Sequence, residues 1–71
     1  MRRDYLIVIE KSEHNYCAYS PDIPGCIATG KTIEETRKIM EEAILFHLEG
    51  MRRGGLPVPE PSSVSEYISV P

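Results

Sequence analysis

The sequence predicts an α+β fold in which three strands, one helix and a last strand follow one another in a single domain, residues 1–71. Three observations support this order. A β-branched apolar run opens the chain, a capping signal precedes a long amphipathic segment, and a second β-branched run closes it. We expect a four-stranded sheet in the order 3-2-1-4 with the helix packed on one face.

The predicted strands differ in how apolar they are. Residues 4–10 form the first strand, and their unbroken apolar centre indicates a central strand covered on both faces. The second and third strands are predicted at residues 16–19 and 26–29. Between them, residues 20–25 contain two prolines and a glycine, which predicts an ordered loop. Residues 66–70 are predicted to form the last strand.

The helix begins at a capping box. The Thr32 hydroxyl can accept from the N–H of Glu35, and the Glu35 side chain can reach back to the Thr32 N–H. Apolar side chains then recur at three- and four-residue spacing, and they are Ile33, Met40, Ala43, Ile44, His47, Leu48 and Met51. We expect the helix to end between Gly50 and Gly55, followed by an extended proline-rich connector. A right-handed crossover then places the last strand parallel to the first.

Composition excludes several classes of function. The chain has 8 Lys and Arg against 11 Asp and Glu, a net charge of −3, so we expect no direct DNA binding. Cys17 and Cys26 match no zinc or redox spacing, which favours free thiols in a reducing compartment. The longest apolar run, residues 5–9, is far too short to span a membrane. We expect a cytoplasmic protein without a membrane segment.

The sequence offers no catalytic pattern. Metalloprotease, redox and hydrolase motifs are absent from the chain. Asp4 and Glu10 lie at opposite ends of the predicted first strand, about 20 Å apart, so they cannot share one metal ion. We therefore expect no catalytic residue, no metal and no cofactor.

Two segments are candidates for binding a partner. In the loop between the second and third strands, Ile23 is either tucked inward or used in a contact. The helix acids either form a solvated face or meet a basic partner, since anionic side chains attract a cationic RNA-binding protein. One helix covers only one face of the sheet, so the other face should meet a partner or another subunit. We expect a homodimer or homotetramer.

The chain resembles the HicB family of antitoxins. The resemblance rests on YCAYSPDIPGCIATG at residues 16–30, the capping box at residues 32–35, the helix segments at residues 42–44 and 48–50, and the prolines of residues 57–61. It implies a partly degraded ribonuclease-H-like fold that binds and neutralises a small basic HicA-type toxin, an mRNA-cleaving enzyme. The antitoxin would cover the RNA-cleaving surface of the toxin, and its acidic side chains would bind where the phosphates of the RNA otherwise bind. The contact residues expected on this basis are Tyr19, Asp22, Ile23, Pro24, Glu34, Glu41 and Glu42.

Two departures and two alternatives accompany the resemblance. Many family members continue into a DNA-binding segment, whereas this sequence ends at Pro71, so we expect no C-terminal DNA-binding domain. The carboxylate cluster of ribonuclease H is also missing. One alternative function is a free-standing homo-oligomeric domain without a toxin, binding a small ligand between subunits. The other is a residual nuclease, which predicts Mg²⁺-dependent RNA cleavage that Asp4→Asn abolishes.

Overall fold

The computed structural model describes residues 3–71 and contains one antiparallel sheet with one helix packed against it. The elements are β1 (Val8–Lys11), β2 (Tyr16–Ser20), β3 (Ile23–Gly30) and α1 (Ile33–Arg53). The strand order is β1-β2-β3, so β2 is the central strand. The structure confirms the α+β class.

The predicted four-stranded sheet in the order 3-2-1-4 is wrong. Within the described chain the sheet has three strands, and residues 66–70 belong to none of them. Tyr67 and Ile68 are 103% and 85% exposed. Their β-branched and aromatic character favours an extended backbone, but a strand also requires a neighbouring edge to bond to. The chain brings no edge of its own to this segment.

The first strand is shorter than predicted and lies at an edge of the sheet. Val8 pairs with Tyr19, so continuing the same register backwards would place Leu6 opposite Pro21. Proline has no N–H to donate, and the chain turns at this point. The ladder therefore starts at Val8, and residues 4–7 lie outside it.

The third strand is longer than predicted. Tyr19 pairs with Ile27 but Ser20 pairs with Ile23, so residues 24–26 form a bulge. Gly25 adopts a positive φ of 84° in this bulge, a conformation that glycine tolerates better than other residues. The predicted loop at residues 20–25 is thus reduced to a turn at Pro21 and Asp22.

The structure confirms the predicted helix. The Glu35 N–H donates to Thr32 Oγ1 at 3.0 Å, as the capping box requires. The Glu35 carboxylate, however, accepts from the Lys31 N–H at 2.6 Å, one residue before the expected donor. At the other end the Gly54 N–H donates to the Gly50 carbonyl at 3.0 Å, so the helix ends within the predicted range.

The core lies between the sheet and one face of α1. Its buried apolar side chains are Ala18, Ile23, Cys26 and Ala28 from the sheet and Met40 and Leu48 from the helix. Of the remaining predicted apolar helix positions, Ile33 is 49% exposed and the others are half-buried. No helix among residues 3–71 is both long enough and apolar enough to cross a membrane.

One buried polar contact sets the start of α1 against the end of β3. Thr36 is fully buried, and its hydroxyl donates to the Thr32 carbonyl at 2.7 Å. A Cβ on Gly30 would lie 2.6 Å from Thr36 Oγ1 and 2.9 Å from Thr36 N. Only glycine allows this close approach of helix and strand.

Candidate partner-binding surfaces

Asp22 lies in the turn between β2 and β3, and its carboxylate is bonded to the C-terminal part of the chain. Oδ2 accepts from the backbone N–H groups of Ser62 and Ser63, each at 3.1 Å. Oδ1 accepts from their hydroxyls at 3.1 and 2.9 Å. The Ser63 N–H contributes most to holding the pKa of Asp22 below its usual value, while desolvation opposes it. We call these four hydrogen bonds the Asp22 clamp.

The segment before the clamp is tied to the N-terminal part of the chain. The Tyr5 hydroxyl donates to the Pro59 carbonyl at 2.5 Å, and Arg3 forms an ion pair with Glu60 at 2.9 Å. Val58 packs against the core. The connector therefore passes residues 3–5 before it reaches the β2–β3 turn.

Tyr19 lies on the face of the sheet that the helix leaves open. The register aligns Val8, Tyr19 and Ile27 across the three strands, and we call these residues the open-face row. Side chains alternate along a strand, and the neighbouring Ala18 and Ala28 point into the core. Tyr19 and Ile27 are 40% and 70% exposed. The open-face row is thus an apolar strip that the described chain leaves partly exposed.

The remaining two predicted loop residues face in different directions. Ile23 is 1% exposed and belongs to the core, so its side chain takes the inward alternative. Pro24 is exposed in the bulge of β3. Pro24 therefore lies on the surface, whereas Ile23 packs inside the bulge.

The predicted helix acids, Glu34, Glu41 and Glu42, are all exposed. Glu34 and Glu41 are two turns apart and line one shallow groove together with Arg37. The helix packs on one face of the sheet and Tyr19 lies on the other. The structure thus brings Glu34 and Glu41 together but separates the helix acids from the open-face row.

The side chains on these surfaces differ in the contacts that they can make. Across residues 3–71, no three His, Cys, Asp or Glu side chains come close enough to hold a metal ion. Cys17 is half-buried and Cys26 is buried, both as free thiols, and burial raises the pKa of Cys26. Carboxylates, a tyrosine and exposed apolar side chains can form ionic, hydrogen-bonding and apolar contacts.

Sequence reasoning missed several of these features. Ser62 and Ser63 follow the last proline of the connector, and nothing in their spacing links them to a residue 40 positions earlier. The position of Ile27 was also missed, because a regular hairpin from the turn at residues 21–22 would place Pro24 opposite Tyr19, and only the bulge at residues 24–26 brings Ile27 there. Leu45 and Phe46, which are 64% and 83% exposed on α1, fall outside the predicted apolar spacing.

Comparison with known proteins gives consistent matches. A family model described as the HicB-like antitoxin of bacterial toxin–antitoxin systems matches residues 5–71. An uncharacterized 14.9 kDa protein of Haemophilus phage HP1 is 39% identical over 94% of the chain. The chain spans only 50% of that phage protein's length. A UPF0150 protein of Helicobacter pylori is 38% identical over 89% of the chain and 81% of its own length.

One solved structure shares both the fold and the sequence pattern. It is a chain in the HicA3 and HicB3 toxin–antitoxin complex, with a TM-score of 0.72 and 37% sequence identity. The match covers 84% of this chain and 70% of that one.

Proposed function

Since this chain belongs to the family of HicB-like antitoxins of bacterial toxin–antitoxin systems, we propose that it neutralises a HicA-type toxin by binding to it. The observation that carries the proposal is the similarity, in fold and in sequence, to a chain of the HicA3 and HicB3 complex. Neutralisation by binding needs no catalytic group. We accordingly propose a non-enzymatic protein that acts in the cytoplasm, where a toxin of this type would meet mRNA.

The charge of the chain supports an ionic contribution to this binding. The net charge is −3, and Glu34, Glu41 and Glu42 are exposed on α1. Carboxylates on one partner steer a basic protein into contact and compete with the phosphates of its RNA. We propose that these three acids form the ionic contact with the toxin.

The open face of the sheet supports a second, apolar contact. Tyr19 combines a large apolar ring with a hydroxyl, a combination that is enriched at protein interfaces. Pro24 extends this surface at the bulge, and the Asp22 clamp fixes the turn between them. We propose that Tyr19, Asp22 and Pro24 form a contact surface that is complementary in shape to the toxin. Ile23 supports it from the core.

The experiment measures both binding and inhibition. An RNA-cleavage assay with purified HicA-type toxin should show loss of cleavage on titration with the chain, and calorimetry with a catalytically inactive toxin gives Kd. Glu42→Lys should weaken binding about tenfold, about 1.4 kcal/mol. Its matched control is Glu13→Lys, which makes the same charge change at an exposed residue far from α1 in the sequence.

Three outcomes are informative. Inhibition that ends at a fixed ratio of chain to toxin supports neutralisation by binding. Full RNA cleavage at a saturating concentration of chain rejects the proposal. Equal weakening by Glu42→Lys and Glu13→Lys assigns the effect to net charge and removes the helix acids from the interface.

We also propose that the chain acts as a homo-oligomer. The open-face row and the exposed apolar side chains of α1 and residues 64–70 leave more apolar surface uncovered than a small monomer usually shows. Self-association is one way to cover part of it.

A further inference from the structure

Two parts of the molecule have apolar surface that could meet in an assembly. The first is a groove between residues 4–7 and α1, which we call the edge groove. Ile7, Ile44 and Leu45 line it with apolar surface, and Asp4, Arg37 and Glu41 also line it. The second is residues 64–70, which we call the tail.

The edge groove lies beside an open sheet edge. β1 pairs with β2 along one side only, and no strand of the described chain pairs with its other side. Residues 4–7 precede β1 outside the ladder. An open edge of this kind presents backbone N–H and C=O groups to an incoming strand.

The tail has the side-chain composition of a β-strand but belongs to no strand of the sheet. Val64, Ile68 and Val70 share one side of an extended chain and are 80–85% exposed. Tyr67, on the other side, is 103% exposed. The radius of gyration is 13.6 Å, against about 11 Å for a compact chain of this length, as expected for a segment that projects from the domain.

We propose that the tail of one copy lies in the edge groove of a second copy and adds a strand to its open edge. The exchange is reciprocal, so that two copies form a closed two-fold dimer. Seven extended residues span about 23 Å, which matches the roughly 26 Å of residues 4–11. Arg37 in the groove is opposite in charge to Glu66 in the tail, whereas Asp4 and Glu41 have the same sign as Glu66, so the contact is mainly apolar.

A second copy fits this role better than another partner. Every copy carries one tail and one groove, so reciprocal exchange covers both, whereas a different protein in the groove leaves the tail exposed. The Asp22 clamp ends at Ser63 and gives the tail a fixed starting point. The residues of the tail are exposed, and none of them lines the groove of its own copy. The proposal specifies how the chain self-associates and does not depend on toxin neutralisation. Because Glu41 lines the groove, the ionic contact of a dimer with the toxin would rest on Glu34 and Glu42.

Sedimentation of the full chain across micromolar concentrations tests the proposal. The expected mass is that of two 8.0 kDa chains. Ile68→Asp in the tail and Leu45→Arg in the groove should each give monomers. Both side chains are largely exposed in the single copy, so these variants should fold, as circular dichroism can check. The matched controls are Leu56→Asp and Phe46→Arg, exposed positions outside tail and groove, which should remain dimeric.

A mixing experiment identifies the exchange itself. The Ile68→Asp chain keeps an intact groove, and the Leu45→Arg chain keeps an intact tail. An equimolar mixture should therefore recover dimers through one intact contact. A wild-type chain that stays monomeric, or variants that stay dimeric through another face, would overturn the proposal, as would a mixture that stays monomeric. Toxin binding, measured separately, can succeed or fail in each case.

Discussion

The Asp22 carboxylate accepts two hydrogen bonds from Ser63, which lies 41 residues later in the chain. Two further bonds come from Ser62, so one side chain of the β2–β3 turn fixes the start of the tail. This relationship connects a turn that we propose to contact a toxin with a segment that we propose to contact a second copy.

The Asp22 clamp should open in acid. Because the folded pKa of Asp22 is lowered, the clamp contributes its full stabilisation above the ordinary value of 3.8 and loses it as pH falls through the folded pKa. The amide signals of Ser62 and Ser63, followed by NMR from neutral pH into acid, should shift together below pH 3.8. In Asp22→Asn, which lacks the titrating group, the same signals should stay constant; an identical titration in that variant contradicts the assignment.

Replacing Gly30 and replacing Gly50 with alanine should change the stability of the protein in opposite directions. A Cβ at residue 30 would lie under 3 Å from Thr36, so Gly30→Ala should destabilise the protein by about 1–3 kcal/mol. A Cβ at residue 50 meets nothing within 4 Å, and alanine favours a helix interior, so Gly50→Ala should stabilise by about 0.5–1 kcal/mol. Urea unfolding of both variants measures the difference, and a neutral Gly30→Ala contradicts the close approach.

Removing the hydroxyl of Ser20 should stabilise the protein. The side chain is 4% exposed, and its Oγ has no hydrogen-bond partner among the described residues. An unsatisfied buried hydroxyl costs about 1–3 kcal/mol, so Ser20→Ala should raise the free energy of unfolding by about 1 kcal/mol. The control Ser12→Ala removes a hydroxyl that donates to the Asn15 carbonyl at 3.0 Å and should lower stability slightly. If Ser20→Ala instead destabilises the protein, the Ser20 hydroxyl must have a hydrogen-bond partner, such as a buried water molecule, and the prediction is wrong.

The helix was predictable because its signals are local. The spacing of Thr32 and Glu35 marks the start, and the three- and four-residue recurrence of apolar side chains gives the buried face. Both depend on residues within a few turns of one another. The close approach of Gly30 to Thr36 was not predictable, since it arises only where the end of β3 meets the first turn of α1.

The sheet shows the limit of such reasoning. Residues 66–70 have the composition of a strand, but strand formation depends on which edge the chain brings to them. That edge is decided by long-range contacts, namely Tyr5 with Pro59 and Asp22 with Ser63, which no local pattern encodes. The features of the candidate site likewise divide into those that the sequence predicts and those that it does not. The exposure of Glu42 follows from helix periodicity, whereas the partners of Asp22 follow from the path of the connector.

Asp22 has two proposed roles, and toxin binding can separate them. In a direct contact the carboxylate itself meets the toxin, so Asp22→Ala should weaken binding about tenfold, about 1.4 kcal/mol. The double variant Ser62→Ala with Ser63→Ala removes two of the four clamp hydrogen bonds and keeps the carboxylate, so it should leave the Kd within about twofold, or tighten it, because a less occupied carboxylate is freer to bind. Calorimetry against inactive toxin compares the two. Equal losses in both variants would mean that Asp22 acts by positioning residues 62–63, and the direct contact at the turn would then rest on Tyr19 and Pro24.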